Sequence, residues 1–385
     1  MFKKNYTLYF CVTILSVIEI IIFTVKMLTY KKTEKIGIPR AISYYTNYPF
    51  YHGFFTALGL EIVLSDKTTS KIIKDGNKYL VSDTCLPIKV FVGHIVNLLD
   101  KGVTNIFVPS IQSTGYKINN CSKIRGLPEI IRNIINKPFN MIEPTLDKTE
   151  NIGFYDFWYK TAESIGITDK KLIKKAINAG WETYDNFKAM AESGIDYNTA
   201  LDNAVNGVFE KKNVQVVRPV SVVIMAHGYN LFDERISLNL IKKLEKMDIK
   251  VYTALNVSKE NSVNSLLALG ETQYWANELD LTGVAAYYML NKKVDGIIAL
   301  SAFGCGPDSL MIDEIDYHAK NLGMPMLHLN IDEHTGEAGF VTRLEAFADM
   351  LFRKKRRNLE RNNPVKKPVE KPVVEKVLVS SLSKD

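Results

Sequence analysis

The decisive stretch of the chain reads Val294-Asp-Gly-Ile-Ile-Ala-Leu-Ser-Ala-Phe-Gly-Cys-Gly-Pro-Asp308, and residues 309–321 continue it with helical periodicity. The stretch begins with a short apolar run typical of a buried strand, and the glycines around Cys305 predict a tight loop. A strand, a loop and a helix in this order are the repeating unit of a parallel sheet covered by helices. The stretch therefore predicts an α/β fold with Cys305 at the carboxyl end of a strand.

The same alternation of strands and helices continues on both sides of this stretch. The predicted strands lie at 36–38, 61–65, 105–109, 221–225, 250–254, 294–300 and 325–331. The predicted helices lie at 49–60, 88–99, 127–135, 236–247, 272–290, 309–321 and 340–352. Between the two series, residues 152–210 have helical periodicity without a strand pattern. The predicted fold class is α/β, with two doubly wound parallel-sheet domains of the Rossmann or flavodoxin-like kind and a helical insert between them.

This pattern divides the chain into five predicted segments. They are an apolar N-terminal segment at 1–34, a first α/β domain at 35–150, a helical insert at 151–215, a second α/β domain at 216–352 and a basic, proline-containing tail at 353–385 that we expect to be disordered. The tail contains eleven Lys or Arg and four Asp or Glu, a surplus that equals the formal charge of +7 of the whole chain. Because the remainder is close to neutral, the sequence predicts no nucleic-acid partner.

The N-terminal segment allows three interpretations. Residues 8–28 are almost wholly apolar, which is about the length of a membrane span. The segment is either a membrane anchor, an interfacial helix, or an extension that precedes the real start at Met27. No small-residue cleavage site of a signal peptide follows it. We expect a cytoplasmic protein, with a single N-terminal anchor if residues 1–26 are translated.

Three of the four cysteines lie in loops that contain glycine or proline. Cys85 lies in Asp83-Thr-Cys-Leu-Pro87 at the start of a predicted helix, and Cys121 lies between a predicted strand and the next helix. Ligands of open α/β sheets bind outside the carboxyl ends of strands and at helix N-termini, so we expect the loops of Cys85, Cys121 and Cys305 to face one crevice. Cys11 lies instead in the apolar N-terminal run.

The spacing of the cysteines alone leaves two alternatives open. It matches no compact ferredoxin or zinc pattern, so the three thiols either bind a metal or cluster or are small core residues. Four cysteines in 385 residues are too few for a disulfide scaffold, which favours a reducing compartment.

Several other side chains follow predicted strands or lie on predicted helices. His94 is expected to be a core histidine, because it lies on the apolar face of its helix. His227, Tyr229 and Asn230 follow a strand end, where a ligand contact is plausible. Trp275 is expected in the core, and Glu278 either faces solvent or the crevice.

A second polar group, Asp332, Glu333, His334 and Glu337, also follows a predicted strand. These side chains can supply an acid, a base or support for a cluster, or they can form a turn and a helix N-cap. They do not form a zinc-hydrolase motif. The candidate catalytic residues are therefore Glu333, His334 and His227.

Several ordered motifs between residues 35 and 352 resemble the acyl-CoA dehydratase activase-related family, which is related to the cluster-bearing subunits of 2-hydroxyacyl-CoA (2-hydroxyglutaryl-CoA) dehydratases. The motifs are Lys35-Ile-Gly-Ile-Pro-Arg-Ala41, Asp83-Thr-Cys-Leu-Pro-Ile-Lys89, Gly93-His94, Cys121 with Gly126-Leu-Pro128, Phe303-Gly-Cys-Gly-Pro-Asp308 and Asp332-Glu-His-Thr-Gly-Glu-Ala-Gly339. The resemblance implies a 4Fe–4S cluster held by Cys85, Cys121 and Cys305. The fourth iron would be open or held by another ligand.

The resemblance also implies partners and a type of chemistry. In the dehydratases, an ATP-hydrolysing, cluster-bearing activator injects a low-potential electron, which is used for radical dehydration of a 2-hydroxyacyl-CoA. The present chain has no Walker-type loop, because Phe303 to Asp308 lacks the Gly-Lys-Ser/Thr ending. The ATPase is therefore expected to be a separate protein, and ferredoxin, an acyl-CoA substrate and a dehydratase-type partner subunit are further expected partners.

Three functions remain open from the sequence. The first is an iron–sulfur redox protein that serves a dehydration or a difficult reduction. The second is a non-catalytic iron–sulfur accessory or electron-carrier subunit. The third is a binding module whose cysteines are structural.

Overall fold

Two four-stranded parallel sheets organise the protein, which the computed structural model describes over residues 34–115, 118–211 and 217–362. The first sheet contains β1 Lys35–Ile38, β2 Glu61–Leu64, β3 Asn105–Phe107 and β6 Asn140–Ile142. The second sheet contains β8 Val220–Met225, β9 Ile249–Tyr252, β10 Gly296–Ala302 and β11 Met326–Ile331. The predicted α/β class with two Rossmann- or flavodoxin-like domains is confirmed.

The two sheets have the same internal strand order. The first is ordered β2-β1-β3-β6 and the second β11-β10-β8-β9, so that in each sheet the first strand lies between the second and the third. The chain therefore reverses its direction of travel across the sheet between β1 and β3, and again between β8 and β10. Such a switch point opens a crevice at the carboxyl ends of the two strands, where ligands of these folds bind.

A third, smaller sheet was not predicted. It consists of β4 Ser110–Gly115, β5 Ile118–Asn119 and β7 Thr145–Asp147. The polar composition of Ser110–Gly115 lacks the apolar alternation that indicates a strand. The strands β4 and β5 follow β3 in the chain and lead to Cys121.

The helices cover the sheets and form the insert. In the first half they are α1 Tyr44–Ala57, α2 Ser70–Asn77, α3 Leu86–Asp100, α4 Ser122–Arg125, α5 Leu127–Ile134, α6 Phe154–Ser164, α7 Lys170–Glu192 and α8 Tyr197–Val205. In the second half they are α9 Gly228–Leu231, α10 Leu240–Lys246, α11 Lys259–Leu269, α12 Ala276–Leu290, α13 Gly306–Asn321 and α14 Glu337–Asn362. The helices α2 and α11 were not predicted, because the patterns around them are short or mixed.

The helical insert packs against the first domain through α1 and α7. Gly53 on α1 allows this close crossing, because a Cβ at its position would lie 2.4 Å from the carbonyl oxygen of Ala179. The helix α1 continues through Pro49, where the sequence had predicted its start. Its buried aromatic side chains, among them Phe54, pack on Trp158 of the insert with ring centroids 4.4 Å apart. Burying one such side chain contributes about 2–3 kcal/mol, which offsets the hydrogen bond that a proline removes from a helix.

The two domains share one hydrophobic core. Buried residues of α3, such as Phe91 and Ile95, belong to the same apolar cluster as Val222 and Ile224 of β8. The crevices at the two switch points are therefore held against each other by continuous apolar packing. This arrangement positions the candidate site between the domains.

The ends of the chain differ in part from the prediction. The last helix α14 continues to Asn362, ten residues past the boundary expected at 352, and its residues 353–362 are helical rather than disordered. Of the other predictions for the termini, the apolar segment up to residue 33, including Cys11, and the tail from residue 363 lie outside the described residues. Within the described ranges, no helix combines the length and the apolar character that crossing a membrane requires.

Candidate functional site

Each of the three predicted cysteines lies at the N-cap of a helix. Cys85 precedes α3, Cys121 precedes α4 and Cys305 precedes α13. Proline at the first or second position of α3 and α13 fixes where these helices begin. None of the three side chains caps its own helix with a well-aligned hydrogen bond, although the backbone N–H groups of Ile88 and Asp308 lie close enough to the Cys85 and Cys305 sulfurs to favour their ionised form.

The loops of Cys85 and Cys305 touch each other across the domain boundary. Gly304 has a φ of +74°, a left-handed conformation that glycine adopts without strain. A Cβ at this glycine would lie 3.6 Å from the carbonyl oxygen of Asp83, so the two loops are in near contact. The glycine before Cys305 is thus what lets the loop after β10 turn toward the first domain.

One cavity is lined by all three cysteines, as the sequence predicted for one crevice. Its volume is about 20 Å³, which is room for about one water molecule. The wall consists of Ile42, Cys85, Pro87, Ile88, Cys121, Lys123, Ile124, Tyr229, Asn230, Glu278, Ala302, Cys305 and Asp308. The donor set suits an iron–sulfur cluster, whose ligands are thiolates, but the cavity must widen to hold one.

The thiols of Cys85 and Cys305 are neutral in this environment. Burial raises the pKa of the Cys85 thiol, and Lys123 only partly opposes this effect. Burial, followed by the carboxylate of Asp308, raises the pKa of the Cys305 thiol far above its usual range. A metal bound here would displace the protons of these thiols, since only thiolates coordinate it.

A buried cluster of His227, Glu278 and Asp308 forms another part of the same wall. The Nε2 atom of His227 lies 2.8 Å from Oδ1 of Asp308 and 3.3 Å from Oε1 of Glu278. Burial alone would lower the pKa of His227, but the carboxylates of Asp308 and Glu278 outweigh it and raise that pKa to about 10. The His227 ring also stacks on Tyr229, with centroids 4.9 Å apart. Glu278 thus faces the crevice, which was one of the two positions considered for it.

Buried polar atoms without hydrogen-bond partners gather around this cluster. They include Nε2 of His227, both carboxylate oxygens of Asp308 and both amide atoms of Asn230. The His227 and Asp308 atoms are close, but they are not aligned as a hydrogen bond. Native proteins leave few buried polar atoms unpaired, and such atoms often mark the place of a water molecule or an ion. The site therefore has the chemistry of a binding site.

A larger open cleft shares wall residues with a small cavity, which in turn shares wall residues with the cysteine cavity. The cleft has a volume of about 580 Å³ and lies between the first domain, the helical insert and the segment after β8. Tyr45 and Asp233 line both this cleft and a small adjoining cavity, and the hydroxyl of Tyr45 donates to Asp233 over 2.9 Å. Tyr229 and Asn230 line both the adjoining cavity and the cysteine cavity. The small cavity therefore shares one wall with the large cleft and another with the cysteine cavity.

The polar residues that follow β11 are occupied in structural contacts. Glu333 forms a 2.5 Å ion pair with the buried Lys89 of the first domain. Burial would raise the pKa of Glu333, but hydrogen bonds from Lys89 and from the backbone, together with the positive charge of Lys89, outweigh burial and lower that pKa. Asp332 accepts from the backbone of His334 in a turn, and His334 is exposed. Glu337 forms an exposed ion pair with Lys243.

Two further predicted residues lie away from the cysteine cavity wall. His94 is fully buried, and its Nε2 lies 3.0 Å from the hydroxyl of Thr68, as expected for a core histidine. Burial lowers the pKa of His94 to about 3. Trp275 is only half-buried and lies at the N-cap of α12, where it bridges to Asn119, so its assignment to the core is wrong.

Sequence reasoning did not join Asp308 and Glu278 to His227. Asp308 appeared only as the last residue of the Cys305 loop, and Glu278 lay inside a helix without a motif. A signal for Asp308 was present, because an acidic residue in the first turn of a helix that follows a strand points into the crevice. Glu278 was considered for the crevice, but no motif in the sequence linked it to His227 or Asp308.

Comparison with protein families gives one match. The family described as the CoA enzyme activase uncharacterised domain matches residues 35–257, which is more than half of the chain. The matched region contains Cys85, Cys121 and His227, and the segment of Cys305 follows it. A comparison with curated proteins found no match.

Proposed function

The chain belongs to the family of the CoA enzyme activase uncharacterised domain, and we propose that it is an iron–sulfur redox component of a CoA-dependent enzyme system. A 4Fe–4S cluster would be held by Cys85, Cys121 and Cys305. An ATP-hydrolysing, cluster-bearing activator would deliver low-potential electrons to it. The system would use them for a radical dehydration of the 2-hydroxyacyl-CoA type or for a difficult reduction.

The convergence of three N-cap thiols on one cavity carries this proposal. The three cysteines are separated by long stretches of sequence, yet they line the same wall between the switch points of two sheets. If the three cysteines were only small core residues, nothing in the fold would require them to line one cavity. Backbone N–H groups at the starts of α3 and α13 favour a negatively charged group near Cys85 and Cys305.

The bound cluster would supply one-electron transfer at low potential. The residues of the chain would do the remaining work. The neutral thiols of Cys85 and Cys305 would release protons on binding, and the positive charge of Lys123 in the wall would favour their ionised form. The apolar side chains of Ile42, Ile88 and Ile124 would keep water away from the site, although some of them must move to make room.

The large cleft supports a substrate route in this proposal. Its volume of about 580 Å³ is in the range of small-molecule sites, and it leads by shared walls through Tyr45 and Asp233 to the cysteine cavity. Arg40, Lys67 and Arg235 lie among its lining residues and can contact the phosphates of CoA, although the carboxylates of Asp202, Asp233, Glu234 and Glu337 line the same cleft. We propose that the acyl group of the substrate enters along this route.

Exposed apolar side chains near the cysteine loops support docking of the activator. Phe303, two residues before Cys305, is 67% exposed, and Val81, in the segment before Cys85, is 73% exposed. Phe303 and Val81 would be covered if a partner bound at these loops, whereas single exposed apolar side chains are common on protein surfaces. The activator would have to bind here, because electrons tunnel efficiently only over short distances.

Iron content after anaerobic purification tests the cluster. We expect about four irons per chain in the wild type. Each of Cys85→Ala, Cys121→Ala and Cys305→Ala is expected to lose most of this iron. Cys11→Ala is the matched control and should keep it. Full iron in folded Cys305→Ala protein would contradict the assignment.

The electron-carrier function is the second candidate, and the tight closure of the cysteine cavity favours it. A space of about 20 Å³ leaves no room for substrate beside the thiols unless the walls move. Electron paramagnetic resonance of the reduced cluster separates the two functions. Reduction only with activator and ATP, together with turnover of an acyl-CoA, supports the redox enzyme. Rapid reduction by ferredoxin alone, without turnover, supports the carrier.

A further inference from the structure

The buried cluster of His227, Glu278 and Asp308 has no role in the proposed electron transfer. The three side chains come from different elements, since His227 follows β8, Glu278 lies on α12 and Asp308 lies in the first turn of α13. All three are at least nine-tenths buried. The fold therefore brings together three groups that are costly to bury, and they need a compensating partner.

The distances within the cluster match those between ligands of one metal ion. Nitrogen and oxygen ligands lie about 2.1 Å from zinc, so neighbouring ligand atoms are about 3.0–3.4 Å apart in octahedral or tetrahedral geometry. The separations from Nε2 of His227 are 3.3 Å to Oε1 of Glu278, which falls in this range, and 2.8 Å to Oδ1 of Asp308, which is slightly shorter. One nitrogen or oxygen atom from each of the three residues lies within 4.8 Å of the others.

The orientation of the groups also favours an ion over direct hydrogen bonds. Nε2 of His227 and both carboxylate oxygens of Asp308 are buried without a hydrogen-bond partner, although the nitrogen and Oδ1 nearly touch. Buried polar atoms that are close to each other but not paired often mark the place of an ion or a water molecule. Asn230, whose amide is also unpaired, lines the neighbouring cavity and can orient a water molecule on the ion.

The charge of the cluster points in the same direction. Without a metal, a protonated His227 balances only one of the two buried carboxylates, which leaves one uncompensated negative charge in an apolar wall. A divalent cation neutralises both and leaves the imidazole free to coordinate. The combination of one imidazole with two carboxylates suits first-row divalent ions such as Mn²⁺, Fe²⁺ or Zn²⁺.

We propose that His227, Glu278 and Asp308 form a mononuclear site for a first-row divalent cation beside the cysteine cavity. This site does not depend on the presence of an iron–sulfur cluster, because none of its three ligands is a cysteine. With one position left open by three protein ligands, it can bind water or a carbonyl oxygen and act as a Lewis acid next to the thiols.

Metal binding to the full chain, freed of iron by a chelator under anaerobic conditions, tests the proposal. Mn²⁺ alone is added and the unbound ion is followed by electron paramagnetic resonance. We expect one Mn²⁺ per chain and a higher melting temperature with the ion, since a ligand that binds only the folded state stabilises it. The variants Glu278→Gln and Asp308→Asn are each expected to bind at least about tenfold more weakly. The matched control His94→Gln alters a buried histidine elsewhere and should bind normally.

Co²⁺ alone distinguishes this site from the thiols. Any Co²⁺ held by the thiols gives an intense thiolate-to-cobalt band, which Cys85→Ala should remove. We expect the weak ligand-field absorption of nitrogen and oxygen ligands to remain in Cys85→Ala. Loss of all Co²⁺ absorption in that variant would overturn the proposal. The proposal would also be overturned if the wild type failed to bind the metal ion stoichiometrically. Because this result comes from the wild type, it decides the question even if a variant does not fold. Loss of iron in the cysteine variants, with Mn²⁺ binding intact, would separate the failure of one site from that of the other.

Discussion

His94 in the first domain and His227 in the second are equally deep in the protein and have opposite charge preferences. His94 lies among apolar side chains with only the Thr68 hydroxyl beside Nε2, and burial lowers its pKa to about 3. His227 lies against Asp308 and Glu278, and its pKa rises to about 10 despite burial. Burial alone thus does not decide the state of a histidine, because the neighbouring charges can reverse its effect.

The difference also sets opposite pH dependences. The folded pKa of His94 lies below its unfolded value, so its contribution is complete above about pH 6.5 and is lost as the pH falls toward 3. The folded pKa of His227 lies above its unfolded value, so in metal-free protein its contribution is complete below about pH 6.5 and is lost as the pH rises toward 10. The His94 pocket therefore lowers the free energy of unfolding as the pH falls, and the His227 pocket lowers it as the pH rises.

The largest expected effect comes from removing the charges around His227. In metal-free protein, combining Glu278→Gln with Asp308→Asn should lower the pKa of His227 from about 10 to below its ordinary 6.5, because burial then acts unopposed. Histidine ring signals followed by nuclear magnetic resonance during a pH titration measure this change. Glu333→Gln is the control, since that carboxylate is bound to Lys89. A pKa that stays near 10 in the double variant would show that the carboxylates of Glu278 and Asp308 do not set the charge of His227.

An intermediate effect is expected at His94. Its replacement in His94→Gln keeps a polar group for Thr68 and removes the proton that the unfolded chain takes up. Between about pH 6.5 and 3, the wild type should therefore lose about 1.4 kcal/mol more free energy of unfolding per pH unit than the variant. Urea unfolding at a series of pH values measures both slopes. Parallel curves for the two proteins would show that His94 is not held neutral by burial.

The smallest expected effect concerns the ring that stacks on His227. A protonated imidazole on the face of an aromatic ring gains about 0.5–1 kcal/mol, so Tyr229→Leu should lower the pKa of His227 by less than about one unit. Tyr229→Phe keeps the ring and should leave the pKa unchanged. Nuclear magnetic resonance titration of the histidine ring signals measures this change in the pKa of His227. An equal shift in both variants would assign the effect to the hydroxyl instead.

Much of the frame around these two pockets was predictable from sequence. The strands and helices on both sides of Cys305 were found because buried strands are short apolar runs and amphipathic helices repeat every three to four residues. The loops before the helices of Cys85 and Cys305 were predicted, but both helices begin earlier than the predicted residues 88 and 309, which places the two cysteines at their N-caps. The small third sheet was missed, because its polar strands follow neither pattern.

The candidate site was predictable only in part. Loops with glycine and proline indicated where the cysteines would lie, and the switch-point rule indicated that they would meet. The role of His94 followed from its place on an apolar helix face. The pairing of Glu333 with Lys89 could not be predicted, because the two residues belong to different domains and no local pattern joins them.

By itself, the sequence determined the α/β class, the helical insert and the loops that contain Cys85, Cys121 and Cys305, since these depend on local periodicity and turn chemistry. Only the tertiary structure decided that His227, Glu278 and Asp308 meet and that Glu333 is occupied by Lys89. The physical reason is that Coulomb interactions depend on distance in space, and residues far apart in the chain become neighbours only when the two sheets pack together. The charge of His227 is thus a property of the fold, whereas its position after a strand is a property of the sequence.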